Sequence, residues 1–115
     1  MLVTVLLSLG FVSAACTIPF DNFFCGSSMS LCSGTYYLND TQNNGLLDIG
    51  TNCTLDGNGT IIIGNNSGKG IYYSGSGSNN SIITNINLSN YGYNIYFNGD
   101  NNTFNNINLG LATTY

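Results

Sequence analysis

Few side chains in this 115-residue chain can do chemistry: five aspartates (Asp21, Asp40, Asp48, Asp56, Asp100), one lysine (Lys69), four cysteines and eight tyrosines. Histidine, glutamate, arginine and tryptophan are absent. Histidine-based triads and histidine-ligated zinc or copper are therefore excluded. Nucleic acid is excluded as a partner, because phosphate recognition needs several basic residues and here there is one. Carboxylate chemistry remains. A glycoside hydrolase needs two carboxylates about 5 to 9.5 Å apart, and Asp48 and Asp56 come closest to supplying them. Asp56, however, lies in a Leu55-Asp56-Gly57 corner, where capping the turn accounts for it. With no further acid or base beside them, no catalytic residue is expected.

Three loops have the outline of ligand sites and fail in detail. Gly64-Asn65-Asn66-Ser67-Gly68-Lys69 has three residues between its glycines where a phosphate loop has four, and Gly70 replaces the Ser or Thr after the lysine. Asp56-Gly57-Asn58-Gly59-Thr60 starts like a calcium loop, but Ile61 stands where the turn glycine belongs and no Glu closes it. Gly75 to Asn79 lacks the Asp of calcium-binding nonapeptide repeats. The cysteines form no CxxC pair. No cofactor and no metal is expected.

The elements that would position these residues begin with an apolar leader. Residues 1–15, MLVTVLLSLGFVSAA, run apolar for about a dozen positions and end in small residues, as a secretory signal peptide does. A membrane span needs about 20 apolar residues, so no span is expected once the signal is removed. Cleavage after Ala14 or Ala15 would leave Cys16 at or beside the new N-terminus. Ser13 occupies the position where a lipobox carries Leu, so lipidation of Cys16 is not expected. Four cysteines behind a secretion signal, Cys16, Cys25, Cys32 and Cys53, point to disulfides and an extracellular or cell-surface location. Three pairings are open; the preferred one joins Cys32 to Cys53 and Cys16 to Cys25, with residues 16–34 acting as an N-terminal cap.

From residue 35 to residue 115 the chain is a string of short apolar segments separated by Asn, Gly and Ser. Strands are expected at residues 35–38, 46–49, 53–55, 60–63, 70–73, 81–83, 86–88, 94–97, 103–104 and 107–109. Asn85-Ile86-Asn87-Leu88 recurs as Asn106-Ile107-Asn108-Leu109 at a spacing of 21, and Ile71-Tyr72-Tyr73 recurs as Ile95-Tyr96-Phe97 at a spacing of 24. Such a period, with three short strands per repeat, fits one coil of a parallel β-helix that buries its inward face by stacking on its neighbours. The expectation is an all-β, right-handed parallel β-helix of about four coils. The Asn-Asn and Asn-Gly pairs at 43–45, 65–66, 79–80, 98–99, 101–102 and 105–106 then serve first as corner residues, since Asn tolerates the left-handed conformation and bonds along the stack. Leu109 to Tyr115 breaks off in mid-pattern, which predicts either further coils or end-to-end self-association with another chain.

The phrases TNCTLDGNGTIIIG (51–64), NNSIITNINL (79–88) and NNTFNNINL (101–109) resemble the pectin-lyase-like parallel β-helix repeats of extracellular proteins, including NosD-like repeats. The resemblance covers roughly residues 30–110. It implies the fold rather than an activity, because that architecture hosts lyases, hydrolases, adhesins and surface-layer parts. A lyase of this kind resembles a calcium site of clustered acids beside an Arg or Lys base; here arginine is absent and Lys69 lies in a Gly-Lys-Gly turn. The expected function is a non-catalytic secreted or cell-surface module with a structural, adhesin-like role, whose partners are carbohydrate or other surface proteins. The alternative is the N-terminal fragment of a carbohydrate-active enzyme with its site on later coils. Ice binding needs ranks of Thr-x-Thr, which the chain lacks.

Two surface features follow. Seven Asn-x-Ser/Thr sequons occur, at Asn39, Asn52, Asn58, Asn65, Asn79, Asn87 and Asn101, against roughly four expected by chance; they are the glycosylation candidates. With Ile71 and Ile95 inward, strand alternation sends Tyr72 and Tyr96 outward on neighbouring coils. Stacked outward tyrosines act either as a stabilising ladder or as a platform for sugar rings.

Overall fold

The computed structural model describes residues 15–73, 75 and 79–113. The apolar leader, Ala15 aside, lies outside them. The described residues form nine strands and no helix: β1 (Phe23–Cys25), β2 (Ser28–Ser30), β3 (Thr35–Tyr37), β4 (Leu47–Ile49), β5 (Thr54–Ile63), β6 (Lys69–Tyr73), β7 (Ile82–Ser89), β8 (Tyr93–Phe97) and β9 (Thr103–Leu109). They stack into two parallel sheets. The first has the order β1-β4-β6-β8 and the second β2-β5-β7-β9, with β3 also paired to β5. This is a β-solenoid. Four rungs enclose about three turns, rather than the four coils expected, and residues 16–34 supply two strands of the first rung.

The turn length is constant in one sheet and variable in the other. In the first sheet Phe23 pairs with Leu47, Leu47 with Ile71 and Ile71 with Ile95, always 24 positions on. In the second sheet Ser28, Thr54, Ile82 and Thr103 succeed one another at offsets of 26, 28 and 21. The extra residues leave at corners and at an irregularity between Asp56 and Thr60 in β5. That irregularity also joins the two segments expected at 53–55 and 60–63 into one strand.

Inward positions follow the strand period of two. Leu47, Ile49, Leu55, Ile62, Ile71, Ile83 and Ile86 are fully enclosed and form one continuous core. Of the buried polar side chains, that of Asn79 makes no hydrogen bond, while those of Ser81 and Asp40 are bonded. Ser81 Oγ donates to Gly50 O (2.9 Å) and accepts from Cys53 N (3.2 Å). The buried Asp40 carboxylate accepts from the backbone of Asn44, Gly45 and Lys69, at 3.1, 3.1 and 2.9 Å, and so ties the loop before β4 to β6. Tyr91 is fully buried and donates its hydroxyl to Leu38 O. Burial, and then the charges of Asp40 and Asp21, push its ionisation above the usual tyrosine range.

The corners explain the asparagines. Every non-glycine residue with a positive φ among those described is Asn: 22, 43, 52, 58, 66, 80, 85, 90, 101 and 106. A left-handed residue with a Cβ costs roughly 1–2 kcal/mol, a cost Asn reduces by bonding locally. At one corner the amides bond along the stack, Asn106 Nδ2 to Asn85 Oδ1 (2.8 Å) and Asn85 Nδ2 to Asp56 Oδ1 (3.0 Å).

The disulfides correct the expected pairing. Cys16 is joined to Cys32 and Cys25 to Cys53. Ser28 pairs with Thr54, so Cys53 stacks on the corner that follows β1, beside Cys25 and away from Cys32. Cys32 instead meets the incoming chain, where Thr17 bridges Leu31. Cys25–Cys53 therefore staples the first rung to the second through the core, and Cys16–Cys32 holds the N-terminal segment on the first rung.

Candidate functional site

The residues singled out for chemistry are distributed rather than gathered. Asp48 lies in β4 of the first sheet and Asp56 in β5 of the second, so the two carboxylates do not face one another across a cleft. Asp56 is engaged at its corner: bonds from the Asn85 side chain and then the Asn58 backbone hold its carboxyl below the usual range. Lys69, expected in a turn, is the first residue of β6.

The outward face of the first sheet does bring side chains together. Phe24 pairs with Asp48, Asp48 with Tyr72 and Tyr72 with Tyr96, so these four form a single outward column, one per rung. Phe24 is 59% exposed and Tyr96 41% exposed; Asp48 and Tyr72 are half-buried between them. The Tyr72 and Tyr96 rings stack with centroids 5.7 Å apart and planes 25° apart, and Tyr93 meets Tyr96 edge-on at 5.5 Å. The centroid separation exceeds the rung spacing of about 4.8 Å, so the stack is offset, an arrangement aromatic pairs favour. Lys69 Nζ lies 5.0 Å from the Tyr72 centroid and 5.5 Å from that of Tyr96, and donates to Asn43 O (2.7 Å) and Asn43 Oδ1 (3.3 Å).

Glycines make the floor under these rings. A Cβ at Gly45 would come within 2.2 Å of Tyr72 Cβ, and Gly45 also has a φ of +99°, so only glycine lets Tyr72 lie against this loop. A Cβ at Gly26 or Gly50 would come 2.8 Å from the Phe24 ring. Among the described residues none donates a hydrogen bond to Asp48, and burial alone raises its pKa above the ordinary value.

Alternation within β6 and β8 was enough to place Tyr72 and Tyr96 outward. Phe24 and Asp48 were missed as their column partners. The signal was present, because Phe24, Asp48, Tyr72 and Tyr96 are each 24 apart, but β1 sits in a cysteine segment that repeats no phrase found elsewhere.

The seven sequons are sorted by burial. Asn39, Asn52, Asn58, Asn65 and Asn101 are exposed, Asn87 is half-buried with its amide directed at Thr60 O, and Asn79 is fully buried. The enclosed Asn79 amide makes no hydrogen bond and has no room for a glycan.

Comparison of the chain with protein-family models, with curated proteins and with solved structures finds no match.

Proposed function

We propose that the chain is a non-catalytic secreted or cell-surface β-helix module, of the pectin-lyase-like or NosD-like kind, with a structural, adhesin-like role in which Tyr72 and Tyr96 contact glycans. The two disulfides are compatible with an oxidising, extracellular location. The observation that carries the reading is the stacked pair of outward tyrosines on a rigid parallel sheet. Neither ring is needed to fill the core, and aromatic side chains combine an apolar face with a polar tip suited to a sugar. The stacked rungs hold the two rings at fixed spacing, so little side-chain freedom is lost on binding. Affinity electrophoresis through gels cast with different polysaccharides tests it. The native protein is expected to be retarded by at least one of them, and the Tyr72→Ala, Tyr96→Ala double variant to migrate as in a blank gel. Unhindered migration of the native protein in every gel, or turnover of a polyuronate, would overturn the reading.

A further inference from the structure

Resting on that reading, we infer that the whole column Phe24–Asp48–Tyr72–Tyr96 is one linear strip for an uncharged oligosaccharide, with Asp48 as the acceptor for its hydroxyls. The register makes the strip continuous: each of the four residues is the direct neighbour of the next on adjacent rungs. Three rung steps of about 4.8 Å give a length of about 14 Å, enough for several sugar units in a row rather than one. Both ends are aromatic and exposed, Phe24 at 59% and Tyr96 at 41%.

Asp48 is the informative member. It interrupts an aromatic column with a carboxylate that has no hydrogen-bond partner among the described residues, at a depth where burial penalises its charge. A group that stabilises neither the sheet nor itself is explained by what it offers outward: two acceptor oxygens between apolar rings. That offers a pyranose the edges of the rings for its C–H surface and an acceptor for its hydroxyls.

Charge selects the class. The chain carries a net charge of −4 and a single cation. Lys69 already spends its ammonium on Asn43 and on the two tyrosine faces. A polyuronate would bring its carboxylates onto Asp48 with no free cation to offset them, which disfavours acidic sugars. A cationic ligand would compete for the cation–π position that Lys69 fills. A neutral chain brings no charge against either Asp48 or Lys69.

Isothermal titration calorimetry with neutral linear gluco-, manno-, xylo- and chito-oligosaccharides of increasing length, and with oligogalacturonate as the acidic control, tests this on the purified oxidised protein. For at least one neutral series the affinity should climb with length until the column is covered. Asp48→Ala should weaken binding about tenfold or more, the loss expected for a hydrogen bond to a charged group, and Asp48→Asn should restore part of it. Phe24→Ala should abolish the gain from the longer oligomers while leaving the shortest unaffected. Binding that survives Asp48→Ala and Phe24→Ala but is lost with both tyrosines would overturn the strip and leave the tyrosine contact standing. Preference for oligogalacturonate would overturn the neutral class, and no binding to any sugar would overturn both readings.

Discussion

The two sheets share their strand direction and their apolar inner columns, yet their outer faces differ. Outside the first sheet stand Phe24, Asp48, Tyr72 and Tyr96. Outside the second stand Ser28, Thr54, Ile82 and Thr103 in one rank, and Ser30, Asp56, Thr84 and Asn105 in the next. The sheet with an unvarying 24-residue turn carries the stacked rings; the sheet whose offsets run 26, 28 and 21 carries mostly hydroxyls and amides, with Asp56, Ile61, Ile82 and the exposed ring of Tyr37 among them. A solenoid dictates its inward residues, because each rung must bury them against the next. Outward residues are released from that demand. Aromatic rings stacked from rung to rung on the first sheet are therefore a property of that face and not of the fold.

The largest effects should come from breaking what the sheets share. Ile83→Ala, inside β7, should cost about 2–5 kcal/mol, whereas Ile82→Ala next to it, 43% exposed, should change stability by no more than about 0.5 kcal/mol; urea melts of the two variants measure the difference. Equal losses would mean that inner and outer positions are not distinct. Replacing Cys25 and Cys53 together by serine should remove about 2–4 kcal/mol. Replacing Cys16 and Cys32 should remove less, because that bond closes the shorter loop, 16 residues against 28.

Smaller effects separate the outer faces. Asn85→Ala puts a Cβ residue at a φ of 58° and removes the bond to Asp56; the expected cost is about 1–2 kcal/mol, and Asn85→Gly should recover most of it. Because that bond lowers the folded-state pKa of Asp56, its contribution is present above the unfolded carboxyl pKa and fades as pH falls through the lowered value. Thermal melts between neutral and acidic pH should show a flatter profile for Asn85→Ala. Asp48 has the opposite sign. Burial raises its folded-state pKa, so ionisation opposes folding, and the native chain recovers that stability as pH falls through the raised value. Asp48→Asn should therefore melt slightly higher at neutral pH, by no more than about 0.5 kcal/mol once solvent screening is allowed for. A lower melting temperature would show that Asp48 is structural.

Where the chain repeats, its sequence was informative. The tyrosines were legible because Ile71-Tyr72-Tyr73 and Ile95-Tyr96-Phe97 keep the strand period and the first sheet keeps its 24-residue turn. The left-handed Asn43, Asn66, Asn80, Asn101 and Asn106 were legible in Asn-Asn and Asn-Gly pairs, because few other side chains tolerate that backbone, whereas Asn22, Asn52, Asn85 and Asn90 stand in no such pair. The disulfides were not, since the second sheet's turn length varies and the rung on which each cysteine falls depends on it. Sequence proximity brings Asp48 and Asp56 together, but β4 and β5 belong to different sheets, which no local pattern reveals. The glycine floor of Gly26, Gly45 and Gly50 depends on which rung faces which, and no local pattern carries that.

The most direct measurement is an NMR titration of the isotopically labelled protein with the neutral oligosaccharide that binds best, observed at both outer faces together. The account predicts shifts centred on Phe24, Asp48, Tyr72 and Tyr96, with Thr54, Thr84 and Thr103 of the second sheet unmoved. Shifts centred on the second sheet, or none at either face at saturating sugar, would contradict it.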